Sequence, residues 1–212
     1  MGDLFSTNES QILDHGQGLY QIKSLGDYPS LIKDIEQLAK QSRFRHMMTP
    51  MGHPTVVSML NCGQYGWISN KSGYGYSPID PLTEKPWPAI PASFLNLCQQ
   101  TIDMLQLKAF EPDACLINRY EIGMSMGRHQ DRDEQNFSHP IVSVSLGLSA
   151  IFQVFGSSRQ GKAKEFLLEN GDVFILSGEA RKFYHGIKTI KADPINPNSL
   201  LRYNLTFRRY QK

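Results

Sequence analysis

Residues 126–155 read MGRHQDRDEQNFSHPIVSVSLGLSAIFQVF, and the change of character inside them decides the fold. The second half, PIVSVSLGLSAIFQVF at 140–155, is strongly β-forming and is broken near its middle by Gly147. The nine residues in front of it, MGRHQDRDE at 126–134, hold one histidine, three acids and two arginines. Such a charged run before an apolar strand is either a solvated turn or a site.

Working outward, the carboxyl-terminal half continues as short β runs: ACLINRYE (114–121), KEFLLENGDVFILSG (164–178), FYHGIKTI (183–190) and LRYNLTFRRY (201–210). Asn170 and Gly171 predict a type I′ hairpin turn, which needs two positive φ values. Upstream, Leu31, Ile32, Ile35, Leu38 and Ala39 recur at helical spacing, as do Phe94, Leu97, Cys98, Ile102 and Leu105. Helices gathered before many short strands predict a sandwich, barrel or jelly roll covered by two amphipathic helices. Between the helices, residues 43–90 are rich in Gly, Pro, Tyr, Met and Ser; so long a segment is expected to be a lid or binding element.

Composition bounds the function. The chain has 212 residues, 40% hydrophobic and 20% charged, which suits one soluble globular domain. A net charge of +2 gives no polybasic arm. Three scattered cysteines fit neither a disulfide framework nor a zinc cluster and point to a reducing compartment. The amino terminus shows no leader pattern, and no apolar run reaches the roughly eighteen residues a spanning helix needs. The expectation is a cytoplasmic protein with no membrane association.

Strand periodicity gives the charged run a meaning. In extended chain His129 and Asp131 point the same way, a two-point metal grip, and His185 in FYHGI stands ready as a third ligand. Two histidines and a carboxylate leave half an octahedron open, the arrangement of non-haem Fe(II) oxygenases. A solvated loop and a satisfied core histidine would give the same letters. In LRYNLTFRRY, however, Arg202, Asn204, Thr206 and Arg208 share one face while Tyr203, Leu205 and Phe207 share the other. Aligned arginines repel, and a dicarboxylate with one end for each guanidinium fork explains the pair. Leu116, Asn118 and Tyr120 share a face of ACLINRYE and could reach the same ligand.

NRY (118–120), HQDRDE (129–134), IVSVSLG (141–147), FYHG (183–186) and RYNLTFR (202–208), in this order, resemble the AlkB family of Fe(II)/2-oxoglutarate dioxygenases, from about residue 30 to the carboxyl end. The resemblance implies a double-stranded β-helix, a jelly-roll variant of mainly β or α+β class, as one domain over 1–212. A catalytic β core would occupy 114–212, and a nucleotide-recognition lid would be inserted at 43–90. It implies Fe(II) on His129, Asp131 and His185. It places 2-oxoglutarate with Arg202 at its distal carboxylate, Arg208 near its C1 end, and Asn118, Tyr120 and Asn204 adding hydrogen bonds. O2 is the second cosubstrate.

The implied activity is oxidative demethylation of 1-methyladenine and 3-methylcytosine in DNA and possibly RNA, single strands preferred, by a monomer. Formaldehyde, succinate and CO2 would be released. Trp67 would stack on the flipped base against His129. Tyr74, Tyr76, Thr49, Met59 and Arg159 would lie near the substrate strand or cosubstrate. Asp133 would favour a cationic lesion. A dioxygenase acting on something other than nucleic acid, and a metal-binding jelly-roll module without turnover, are the competing expectations; the dicarboxylate clamp speaks against the second.

Overall fold

The computed structural model describes residues 11–194 and 199–211. The first ten residues, on which the expectation about a leader mostly rests, lie outside them. Along the chain run β1 (Ile12–Asp14), β2 (Leu19–Ile22), α1 (Tyr28–Gln41), β3 (Ser58–Gly63), β4 (Gly66–Asn70), β5 (Gly73–Ser77), β6 (Ile79–Asp80), β7 (Lys85–Pro86) and α2 (Ala92–Met104). There follow β8 (Ala114–Glu121), β9 (Met126–His129), β10 (Ile141–Gly147), β11 (Ala150–Gly156), β12 (Lys164–Leu168), β13 (Val173–Leu176), a 3-10 turn (Gly178–Lys182), β14 (Tyr184–Ile187) and β15 (Leu201–Arg208).

A seven-stranded sheet in the order β1-β2-β13-β10-β15-β8-β3 faces a four-stranded sheet in the order β12-β11-β14-β9, with every pairing antiparallel. This is the expected jelly roll. Alternation sorts each strand of the large sheet into two layers. Val142, Val144, Cys115, Ile117, Leu205 and Phe207 look outward and meet Leu31, Ile35 and Leu38 of α1 and Phe94, Leu97 and Ile102 of α2. Leu116, Tyr120, Ile141, Phe174 and Leu176 look inward against Phe152, Val154, Phe166 and Ile187 of the small sheet. Each such side chain, fully buried, contributes about 1.5–3 kcal/mol. The helices hold their place by the stripe they present: α1 buries residues spaced by four and three, starts with Pro29 in its first turn and carries Lys40 in its last.

Two features differ from the sequence expectations. The large sheet takes β1, β2 and β3 from upstream of residue 114, and β3 comes from inside the 43–90 segment. Asn170 and Gly171 do not form a type I′ hairpin. Only Gly171 has positive φ (85°), and Asp172 N donates to Glu169 O at 3.1 Å. The strands flanking this turn belong to different sheets, because a jelly roll passes the chain across the sandwich there, so no hairpin register constrains it. The fully buried Asp172 closes the turn by accepting from Lys23 Nζ (2.6 Å), Gln21 Nε2 (3.0 Å) and Glu169 N (2.9 Å), tying β2 to it.

No helix among the described residues is long and apolar enough to cross a membrane. The three cysteines are buried free thiols.

Candidate active site

The inward face of the large sheet and the end of the small one enclose a cavity of about 570 Å³. His129 ends β9, and His185 in β14 is its directly paired neighbour, so two imidazoles arrive side by side with ring centroids 4.4 Å apart. Asp131, two residues past the strand, brings Oδ1 to 3.9 Å from His129 Nε2 and Oδ2 to 3.8 Å from His185 Nε2. The three ligand atoms lie within 4.8 Å of one another.

Their tautomers are set from behind. His129 Nδ1 donates to Gly127 O and His185 Nδ1 to Phe183 O, each at 2.9 Å, which leaves both Nε2 lone pairs for a metal. Burial, with His129 adding to it and Asp131 opposing, holds His185 down at about 4, so it stays a neutral ligand at physiological pH. Burial pushes the Asp131 carboxyl up, but Arg208 and the two imidazoles outweigh it and hold the group well below the usual carboxylate range.

The wall beside the triad is a polar patch made by strand register. Arg202 pairs with Tyr120, and Asn204 with Asn118, which pairs in turn with Met59. Arg202 is fully buried; among the described residues its guanidinium reaches Ser145 Oγ (3.0 Å) and Leu148 O (3.4 Å), and Nε has no hydrogen-bond partner. Among the described residues no carboxylate forms an ion pair with it. Burial holds this arginine down to about 10 and pushes the Tyr120 phenol up to about 12. Asn118 Oδ1 is likewise buried and unpartnered, one amide flip from offering its NH2 to a ligand oxygen. A buried cation without an anion is costly, and a carboxylate in this cavity would offset it. Asn204 is already held by Ser143 Oγ (2.8 Å) and Val144 O (3.2 Å).

Arg208 behaves otherwise. It faces the same cavity but is neutralised by the protein itself, donating to Asp131 Oδ2 at 2.7 Å and lying 3.3 Å from Glu134 Oε1. The two arginines are therefore not equivalent: among the described residues Arg208 has acidic partners and Arg202 has none.

The 2OG-Fe(II) oxygenase superfamily profile matches residues 18–208. The chain belongs to that superfamily. Alpha-ketoglutarate-dependent dioxygenase AlkB of Escherichia coli (strain K12) is 54% identical over 183 residues, 86% of this chain and 84% of that one. DNA N(6)-methyladenine demethylase ALKBH1C of Arabidopsis thaliana is 34% identical over 180 residues, 71% of this chain and 38% of that one. The solved structure of OsALKBH1 superposes with a TM-score of 0.83 at 27% identity, covering 94% of this chain and all of the other. The enzyme is a 2-oxoglutarate-dependent dioxygenase that uses Fe(II) and O2.

The aromatic segment closes the cavity from another side. β4 and β5 form a two-stranded sheet that sets Trp67 opposite Tyr76 and Ser69 opposite Tyr74 on one face. Trp67 and Tyr74 stack at 5.6 Å and line the cavity, as do Thr49, Met59, Asp133 and Arg159. Tyr76 does not line it; its hydroxyl donates to Glu134 Oε1 (2.7 Å) and its ring stacks on Tyr210. Met59 is a buried residue of β3 rather than of a loop. The main chain of Arg159 accepts a hydrogen bond from the Arg128 guanidinium, which lies over Phe155 at the exposed rim.

Three residues with no place in the sequence reading hold these groups. Asn61 brackets the Trp67 peptide, accepting from its N at 3.0 Å and donating to its O at 2.9 Å. Glu134 and Arg181 are buried and lie 2.9 Å apart beside Asp131. Only the adjacent acids Asp133 and Glu134 at the end of HQDRDE hinted at Glu134; nothing local marks Asn61 or Arg181.

Proposed function

We propose that the protein is an oxidative demethylase of N-alkylated bases such as 1-methyladenine and 3-methylcytosine in DNA, and in RNA as a further substrate. The observation that carries this reading is one cavity holding three things: an open His-Asp-His triad, a buried arginine lacking an anion, and an aromatic pair beside a carboxylate. A 54% identical relative named as an alpha-ketoglutarate-dependent dioxygenase and a more distant one named as a DNA demethylase support it.

In this reading His129, Asp131 and His185 hold Fe(II), which with 2-oxoglutarate and O2 supplies the hydroxylation of an N-methyl group and yields succinate and CO2. Arg202 takes the distal carboxylate, and Asn118, Tyr120 and Asn204 hold the rest of the cosubstrate. Arg208, paired to Asp131, orients that ligand near the C1 end. Residues 43–90 act as the recognition lid of a single domain, and 114–212 as its catalytic core. Trp67 and His129 sandwich the flipped base. Asp133 presents a carboxylate that favours a cationic ring, and Tyr74, Thr49, Met59 and Arg159 border the strand, while Tyr76 supports the lid from behind. The hydroxymethyl product collapses to formaldehyde and the repaired base without further help from the protein. Single strands suit the site because extrusion there costs least. We place the enzyme in the cytoplasm as a monomer.

The deciding measurement is succinate release with Fe(II), ascorbate and O2, with and without an oligonucleotide carrying 1-methyladenine. Strong stimulation by the methylated strand, with formaldehyde in equal amount, is expected. Turnover indifferent to the methyl group would reject the substrate assignment.

A further inference from the structure

Trp67 and Tyr76, directly opposed on the β4–β5 hairpin, donate to two consecutive acids: Trp67 Nε1 to Asp133 Oδ2 at 2.8 Å, and Tyr76 Oη to Glu134 Oε1 at 2.7 Å. Glu134 is the more informative of the two. Its carboxylate lies 2.9 Å from Arg181 Nη2 and 3.3 Å from Arg208 Nε. Those same arginines grip Asp131 at two points, Arg208 on Oδ2 at 2.7 Å and Arg181 on the main-chain oxygen at 3.0 Å.

We propose that Glu134 is a positioning residue that carries the seating of the hairpin to the metal ligand Asp131, an inference that rests on the metal assignment above. With Oδ2 and the peptide oxygen of Asp131 both held by arginines, the direction of Oδ1, left for the metal, is set by where those arginines stand. Glu134 sets where they stand, since two guanidinium groups so close repel unless a carboxylate lies between them. Buried ionic clusters of this kind are poor contributors to stability but define geometry well. Tyr76 is the hairpin's hydrogen bond to that cluster, and Asn61 keeps the opposite strand of the hairpin in place by bracketing Trp67.

Coupling of this sort is reciprocal: whatever factor the seated hairpin contributes to metal affinity, metal must return to the seating of the hairpin. The test uses the full chain freed of metal, titrated with Co(II) and followed by its d–d absorption, alongside hydrogen exchange of amides 66–77 with and without Co(II). In the unmodified protein Co(II) slows exchange across the hairpin. Tyr76→Phe keeps the ring on Tyr210 and removes one hydroxyl; it weakens Co(II) binding about fivefold or more and loses a matching share of the protection. Glu134→Gln leaves two buried arginines short of a charge and gives a larger loss; because it also threatens folding, Tyr76→Phe carries the test.

A Co(II) affinity within twofold of the unmodified protein in Tyr76→Phe overturns the proposal, as does hairpin exchange indifferent to Co(II). Neither readout involves nucleic acid, so either failure leaves the demethylase reading standing. Absence of Co(II) binding altogether rejects the metal assignment beneath both.

Discussion

Strand β15 and the β4–β5 hairpin serve the same cavity, one hydrogen-bonded to neighbours on both edges, the other a two-stranded sheet of its own. Most side chains on β15 are buried, Arg202 completely, and every second residue is directed inward by pairing with β8 and β10. The hairpin hangs on a few points, Asn61 to the Trp67 peptide, Trp67 to Asp133, Tyr76 to Glu134, and Gly66 packed flat on the Trp87 ring, where a Cβ would sit 2.3 Å from Cε2. An isolated two-stranded hairpin is marginal in water. In the proposed reading the cosubstrate thus stands on β15, the metal on and beside the paired β9 and β14, both within the sandwich, and selection stands on the element easiest to open, which is where motion is normally found. Damage to the sandwich should therefore reach the metal or the cosubstrate and be indifferent to the nucleic acid, while damage to the hairpin should be smaller and fall on the nucleic acid rather than on the cosubstrate.

The largest effect tests the first half of that contrast. His129→Ala, Asp131→Ala and His185→Ala each abolish succinate release on every substrate and Co(II) absorption with it, while the far-UV spectrum stays that of the unmodified protein. Near-normal turnover in any one of them breaks the triad. Excess Zn(II) or Ni(II) inhibits by taking the same ligands.

Next comes the lone cation. Arg202→Ala removes a charge-assisted contact whose loss typically costs about 2–5 kcal/mol. The concentration of 2-oxoglutarate needed for half-maximal rate rises well over tenfold, equally for all nucleic-acid substrates. Lysine in its place rescues poorly for want of the planar fork. In melting experiments the unmodified protein gains stability with added 2-oxoglutarate and Arg202→Ala does not. An unchanged 2-oxoglutarate dependence would leave the buried arginine unexplained.

The same contrast governs what can be read from the letters. The wall is legible because alternation in LRYNLTFRRY and ACLINRYE by itself places Arg202 and Asn204 on one face of their strand and Asn118 and Tyr120 on one face of theirs. Cross-strand pairing then needs only to bring the two faces together. β1 and β2 escape because three or four residues make no period, and β3 because SMLNCG is buried along nearly its whole length and shows no alternation. The turn at Asn170 and Gly171 misleads because a local signal for a tight turn says nothing about which sheets it joins. Partnerships are hidden for the same reason. The letters give Arg202 and Arg208 the same standing, and only the fold delivers Asp131 and Glu134 to one of them. Glu134, Arg181 and Asn61 act through contacts between distant segments, and no spacing announces those.

On the hairpin the expected losses are smaller. Trp67→Ala removes an aromatic platform worth roughly 1–3 kcal/mol per stacked base. It lowers efficiency on 1-methyladenine, 3-methylcytosine and neutral methylated bases by similar factors, since every base has a π-face. Half-saturation by 2-oxoglutarate, measured without nucleic acid, moves far less than in Arg202→Ala. A Trp67→Ala protein as impaired in cosubstrate binding as Arg202→Ala would erase the distinction between the two regions.

The smallest and most discriminating effect belongs to Asp133, where hairpin and metal loop touch. Its Oδ2 accepts from Trp67 Nε1 at 2.8 Å, so any substitution risks loosening the hairpin as well as removing charge. Asp133→Asn separates the two, because the amide oxygen still accepts that bond while the negative charge is gone. If the carboxylate selects cationic rings, efficiency falls more on 1-methyladenine and 3-methylcytosine than on neutral 1-methylguanine or 3-methylthymine, and the gap narrows with added salt as screening weakens the attraction. Trp67→Phe supplies the opposite control, keeping an aromatic face and losing the donor. Its charged-to-neutral ratio changes only as far as the indole bond orients Asp133. Equal losses on charged and neutral lesions in Asp133→Asn would mean that Asp133 serves the hairpin and the loop beside Asp131 rather than the lesion. The preference for cationic bases would then have to come from the cavity's shape.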